Sequence, residues 1–160
     1  MEAHLAQINI ARLRAPTDDP LVAEFIQALD EINALADSSP GFVWRYQTDA
    51  GNALATRPYA DPVMIVNMSV WATVEALRNY VYRSMHGKFF ARRAAWFEKL
   101  EQPHVALWWI PAGTLPTIEE GQHRLEQRRK FGDTPFAFSF KTVFSPAQSL
   151  DAKSAPSSRI

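Results

Sequence analysis

VMIVNMSVWATVEALRNYVYRSMHGKFFARRAAWFEKL, residues 63–100, is the stretch on which the fold turns. Its first nine residues alternate. Met64, Val66, Met68 and Val70 take one face of an extended chain, and Ile65, Asn67, Ser69 and Trp71 take the other. Thr73 stands where a helix N-cap is needed. Val74, Leu77, Tyr80 and Val81 then recur at helical spacing. The chain is expected to break around Ser84–Gly87, where glycine disfavours a continuing helix. A second helix with Phe89, Phe90, Arg93, Trp96 and Phe97 along its stripe is predicted to run to Leu100. A strand that feeds a helix almost without a loop is half of a βαβ unit.

The flanking segments supply the rest. Upstream, Leu5 to Leu13 alternates, with Ala6, Ile8 and Ile10 on one face and Gln7, Asn9 and Ala11 on the other. Asp19 caps a helix beginning at Pro20. Val22, Phe25, Ile26, Leu29, Ile32 and Leu35 form its stripe, and it ends before Ser38-Ser39-Pro40-Gly41. Phe42 to Thr48 reads as a second strand, followed by a turn at Asp49–Asn52 and a loop to Pro62. Downstream, Val105 to Ile110 is a fourth strand. Thr117 and Glu120 make a capping box for a helix over Ile118 to Lys130. That helix is so polar that it is expected on the rim, its basic end (Arg124, Arg128, Arg129, Lys130) answering the helix dipole. Phe136, Phe138 and Phe140 alternate as a short edge strand.

The resulting order is βαββαβ, which predicts an α+β, ferredoxin-like sandwich over residues 1–144 with an extra C-terminal helix. Residues 145–160, rich in Ser, Ala, Pro and Lys, are expected to be a disordered tail. Helices cover one face of such a sheet, and the faces rich in Ile, Val and Met are expected to meet them. The other face collects Gln7, Asn9, Arg45, Gln47, Asn67 and Ser69 among Ile65, Trp71 and Trp109. It is too apolar for water and too polar for a dry core. The economical expectation is a partly covered cavity, closed by a second copy of the chain and by the long second helix.

Composition narrows the function classes. The 160 residues include 17 basic and 17 acidic side chains, a formal charge of zero that gives no footprint for broad nucleic-acid binding. A content of 47% hydrophobic residues excludes disorder throughout. The absence of cysteine removes disulfides, thiolate nucleophiles and thiolate metal sites, and fits a reducing cytoplasm. MEAHLAQINIARLR has no signal-peptide pattern, and no apolar run approaches a membrane span, so neither membrane nor nucleic acid is an expected partner. His4, His86, His104 and His123 lack metal-ligand spacing, and no P-loop, G-x-S-x-G, H-E-x-x-H or G-x-G-x-x-G occurs.

SVWATVEALRNYVYRSMH, Ser69 to His86, resembles the strand-to-helix segment of antibiotic-biosynthesis-monooxygenase-like dimeric α/β-barrel proteins. There a (T/S)-(V/I)-W-x-(S/T) strand end feeds a helix and a His-containing turn, and Trp71 and Thr73 match it. LAQINIARLRAP, PGFVWR, VNMSVW, YRSMH and LWWIPAG together are similar to a bacterial family of unknown function within that superfamily, over roughly residues 4 to 140. The resemblance implies the ferredoxin-like fold, a homodimer and a small-molecule cavity. It further implies chemistry like that of cofactor-independent monooxygenases on an aromatic or polyketide-like substrate, with no cofactor. Haem-degrading members of the superfamily suggest a haem-binding alternative. For these Asn9, Tyr80 and His86 are rough counterparts, with Tyr in place of Trp and the His about one helical turn early.

The candidate site follows. His86, at the helix break, has an imidazole that titrates near ~6.5 and suits a base or ligand, and otherwise caps a helix end. With Tyr80 it would manage protons. Asn9, Asn67 and Ser69 would orient a carbonyl or enolate, or else form a watered seam at an interface. Trp71 shares their face. Arg83 would meet a substrate carboxylate or phosphate unless it belongs to a solvated helix face. Arg45, mid-strand between Trp44 and Tyr46, needs a partner, either a ligand or an acid of the other subunit. A non-catalytic small-molecule-binding dimer would need the same pocket without the histidine.

Overall fold

The protein was analysed as a computed structural model, which describes residues 2–85 and 88–151. Its centre is the pairing of β1 (Ala3–Leu13) with β3 (Met64–Trp71), antiparallel, with Leu5 opposite Trp71, Gln7 opposite Ser69 and Asn9 opposite Asn67. β2 (Phe42–Arg45) lines the outer side of β3, and β5 (Val105–Pro111) the other side of β1. The short β4 (Phe97–Glu98) extends that side at Arg12 and Leu13. The antiparallel order β2-β3-β1-β5 is that of two interleaved βαβ units, the ferredoxin-like arrangement.

The helices start where the sequence says they should. Asp19 accepts from the Leu21 N–H at 2.8 Å, opening a 3-10 turn that leads into α1 (Ala23–Asp37). The Thr73 hydroxyl accepts from Ala76 N–H at 3.0 Å at the head of α2 (Val74–Met85). α3 (Lys88–Trp96) stops four residues short of the expected Leu100, because Phe97 and Glu98 are drawn into the sheet against β1. β2 likewise ends at Arg45 instead of Thr48. The Tyr46 N–H makes one last bond to Met68 O at 2.8 Å before the chain leaves the sheet.

Right-handed crossovers place α1 and α2 on the same face of the sheet. That face corrects the expectation. Leu5, Trp71, Leu107 and Trp109 pack against Ala36 of α1 and Val74 and Leu77 of α2. Leu13 packs with Phe25 of α1 and Trp96 of α3. The helices therefore cover the face that carries Gln7, Asn9, Asn67 and Ser69, and the Ile, Val and Met face lies on the opposite side. The amides are tolerated because large apolar side chains stand on either side of them along the strands. α1 and α2 rest on those, forming two separate cores.

The Ile, Val and Met face is not left for a second copy. α4 (Ile118–Phe131) lies across it, with Ile118 and Leu125 in one core with Ile8, Met68, Val70 and Trp108. At Gly121 a Cβ would stand 2.8 Å from Ile8 Cδ1 and 3.1 Å from Met68 Sδ, so the helix axis comes unusually close to the sheet. This helix was expected on the rim. Its polarity misleads, because hydrogen bonds from its arginines hold it down. Arg124 donates to Phe136 O, Arg128 to Val105 O and Arg129 to Pro103 O, at 2.8, 2.8 and 2.6 Å. α1 and α2 thus lie on one side of the sheet and α4 on the other.

Phe138 exchanges both backbone bonds with Leu107, so the Phe136–Phe140 segment covers the edge of β5 through a single bridge. The segment from Ser145, expected as a disordered tail, instead begins with α5 (Pro146–Asp151), which packs on β5. Residues 152–160 lie outside the described residues. No helix among the described residues is long and apolar enough to cross a membrane.

Candidate functional site

On the helix-covered face the register lines up two polar rows. Arg45, Ser69, Gln7 and Leu107 are successive cross-strand neighbours, and beside them run Asn67, Asn9 and Val105. The Gln7 carboxamide ties the rows together. Its Nε2 donates to Asn67 Oδ1 and to Ser69 Oγ, both at 2.7 Å. Ser69 Oγ also accepts from the Trp71 indole N–H at 2.8 Å. Gln7, Ser69 and Trp71 are all buried, so this network satisfies groups that would otherwise be costly to leave unpaired.

Asn67 is different. It is exposed although it sits in the middle of β3. The cause is local: β2 leaves the sheet after Arg45, so β3 has no neighbour on that side beside Asn67. The Asn67 side chain is therefore open to solvent on that side, while its oxygen is held by Gln7. Asn9, its half-buried cross-strand neighbour, presents a second carboxamide at the same level.

Trp71 forms the end wall. Its indole is fully buried, with Phe42 edge-on at 5.4 Å and Tyr80 of α2 stacked on it at 5.0 Å and 23°. Burial pushes the Tyr80 phenol above its usual pKa. The nearby Arg45 pulls it down, and Asp37 pushes it up. At neutral pH it is a hydrogen-bond donor and not a ready base.

Arg45 has found its acid within the chain, which corrects the expectation of a ligand or a partner subunit. Nε and Nη2 grip the Asp37 carboxylate at the end of α1 at 2.7 and 3.3 Å, and Nη1 donates to Gly51 O at 2.8 Å. The guanidinium thus pins α1 and the loop after β2. Arg83 stands exposed one turn beyond Tyr80. With Ser39, Pro40, Ala76, Asn79, Tyr80 and Tyr82 it lines a cleft of about 210 Å³ between the end of α1 and α2.

The structure brings Asn67, Asn9 and Ser69 together on one sheet face, where Gln7 bonds Asn67 and Ser69, stacks Tyr80 on the buried Trp71, and places Tyr80 and Arg83 in one cleft, while Arg45 is tied to α1. His86 lies outside the described residues. The haem alternative required Asn9, Tyr80 and His86 as a set. Asn9 is four positions along β1 from Leu5, the partner of the Trp71 on which Tyr80 stacks. The separation along the strand is ~13 Å at the usual rise per residue. No group of three His, Asp or Glu among them is placed to hold a metal ion.

Two residues escaped the sequence-based site. Gln7 was placed on the right face but given no role, although it is the hub of the network. Asn33 is buried on the sheet side of α1, between Phe25, which joins one core, and Ala36, which joins the other. Its signal was visible: a polar side chain interrupting an apolar stripe at helical spacing.

Among solved structures the chain is similar to SnoaB, a cofactor-independent oxygenase from Streptomyces nogalater, at 19% identity over 71% of this chain and 98% of that one, with a TM-score of 0.42. It is also similar to NE2512, a protein of unknown function from Nitrosomonas europaea, at 14% identity over 72% and 96%, TM-score 0.45. A NIPSNAP family protein from Agrobacterium tumefaciens matches at 14% identity over 74% and 90%, TM-score 0.41. Superpositions this loose transfer no residue role. No curated protein sequence matches significantly. The sequence itself resembled a family of unknown function, and the family comparison agrees: residues 4–154 match the domain of unknown function DUF3291, and the chain belongs to that family.

Proposed function

We propose that this protein is a small-molecule enzyme of the cofactor-independent oxygenase kind. It would bind an oxygen-bearing aromatic or polyketide-like substrate in the groove between the sheet and α2. The observation that carries this is the Gln7–Ser69–Asn67 network. It spends its own hydrogen bonds internally and leaves the amide N–H groups of the exposed Asn67 outside the network. Preorganised donors of this sort stabilise an enolate oxygen more than a ketone oxygen. Tyr80, backed by the buried Trp71, offers an aromatic surface in the cleft along α2.

In the reaction a substrate C–H is deprotonated to an enolate, which reacts with molecular oxygen to give a hydroperoxide. Loss of water leaves a carbonyl, so one O₂ is consumed, one oxygen atom enters the product and the other leaves as water. Asn67 and Asn9 would hold the enolate oxygen, Tyr80 would donate a proton, and His86 is the base assigned from the sequence.

The test is oxygen uptake with dithranol, a tricyclic hydroxyketone that forms a stable enolate. Protein-dependent uptake that Asn67→Leu lowers by tenfold or more supports the reading. Uptake no faster than the buffer control, with binding retained, favours the second reading, a non-catalytic binding protein. That reading has its own support, since burial makes the Tyr80 phenol a weaker proton donor than usual and Ser69 Oγ already accepts two N–H groups.

A further inference from the structure

Arg83 stands apart from the other arginines among the described residues. Arg12, Arg45, Arg92, Arg124, Arg128 and Arg129 are in ion pairs with carboxylates. Arg14 and Arg57 donate to backbone carbonyls, Arg78 lies over the Phe140 ring, and Arg93 has an interaction of its own. Arg83 has no such partner, yet it lines the cleft whose floor is Tyr80.

The neighbouring groups have no need of it. The one carboxylate near Tyr80, Asp37, is held by Arg45. The last carbonyls of α1 face the cleft through the Ser38–Pro40 turn and are already capped. Leu35 O accepts from both Ser38 Oγ and Ser39 Oγ, Ala34 O from Ser38 N–H, and Ala36 O from Ser39 N–H. An arginine there neutralises no acid; it stands in the last turn of α2, where its charge suits the helix dipole and leaves its N–H donors open to a ligand. Tyr80 is the link to the groove: one side of its ring stacks on Trp71, and it also lines the cleft three residues before Arg83 on the same helix face.

We propose that this cleft is an anion subsite, and that the substrate carries a carboxylate on the far side of its aromatic body, bound by Arg83 with the Tyr80 hydroxyl beside it. The proposal rests on the groove assigned above, and it narrows the substrate class from neutral aromatic ketones to aromatic acids. A guanidinium binds a carboxylate through two parallel N–H bonds, which the exposed Arg83 at the cleft edge can offer.

The test compares naphthoic acid, anionic at pH 7, with its neutral methyl ester by isothermal titration calorimetry on the full chain. The wild type is expected to prefer the acid by about tenfold. Arg83→Gln should erase the preference by weakening acid binding alone, and Arg83→Lys should restore part of it. Arg83 is exposed, so the variants should melt as the wild type does, and superposed melting curves verify this. Equal affinity for acid and ester in the wild type overturns the anion subsite and leaves the groove reading standing. So does an acid preference that survives in Arg83→Gln. Failure of both compounds to bind the wild type overturns the groove reading and the subsite with it.

Discussion

Ser69 and Asn67 are two residues apart on one strand face, yet their chemistry separates. Ser69 Oγ is a buried acceptor for two donors, whereas Asn67 is exposed and has one hydrogen bond to spare. Ser69→Ala would strand the Trp71 indole N–H and one Gln7 N–H away from water. A loss of ~1–3 kcal/mol is expected in urea unfolding. Asn67→Leu removes the acceptor of the other N–H of the buried Gln7, so a similar loss of ~1–3 kcal/mol is expected, but it should in addition abolish ligand binding where Ser69→Ala only weakens it. An Asn67→Leu protein that folds and binds ligand as the wild type does would make the row a structural seam and remove the proposed site.

At the scale of elements, α4 decides what the sheet can do. It is a polar helix whose buried residues are Ile118, Gly121 and Leu125, and the missing side chain at Gly121 lets it approach Ile8 and Met68. Gly121→Leu would force those side chains aside in a packed core. A loss of ~1–3 kcal/mol is expected, from the overpacking penalty. Chemical denaturation checks it, with Gly121→Ala as the control. In that control the helix-propensity gain of ~1 kcal/mol offsets the displacement of the mobile Ile8 Cδ1. A Gly121→Leu protein as stable as the wild type would mean that α4 is not seated firmly on the sheet.

For the whole molecule, covering both faces of the sheet within one chain changes the meaning of its surface. A truncation after Leu115 would uncover Ile8, Met68, Val70 and Trp108, a contiguous apolar face. Such patches drive association. The truncated chain is expected to show concentration-dependent mass by light scattering and to bind a hydrophobic dye that the full chain does not. A truncated chain that stays monomeric and dye-free would contradict α4 as the cover of this face.

The chain's periodicities were sufficient for the order of elements. Alternation at Leu5–Leu13 and Val63–Trp71, helical spacing after Thr73 and the caps at Asp19, Thr73 and Thr117 are local properties, set by backbone geometry and short-range hydrogen bonds, so they could be read from residues in sequence. They also placed Asn67, Ser69 and Trp71 on one face, because side chains alternate along any strand. Which layer covers that face is not local. Both faces of this sheet are covered, so neither shows the polar contrast that marks a solvent side. The bonds that seat α4 run from Arg124, Arg128 and Arg129 to carbonyls 12 to 26 residues away in sequence. The same holds for Arg45, whose acid lies across a turn on α1, and for Gln7, which joins two side chains 60 and 62 residues distant. Sequence by itself determined which residues share a strand face and where the helices capped by Thr73 and Thr117 begin. Tertiary structure alone decided which side chains meet, because those contacts are made between segments whose separation along the chain carries no record of their distance in space.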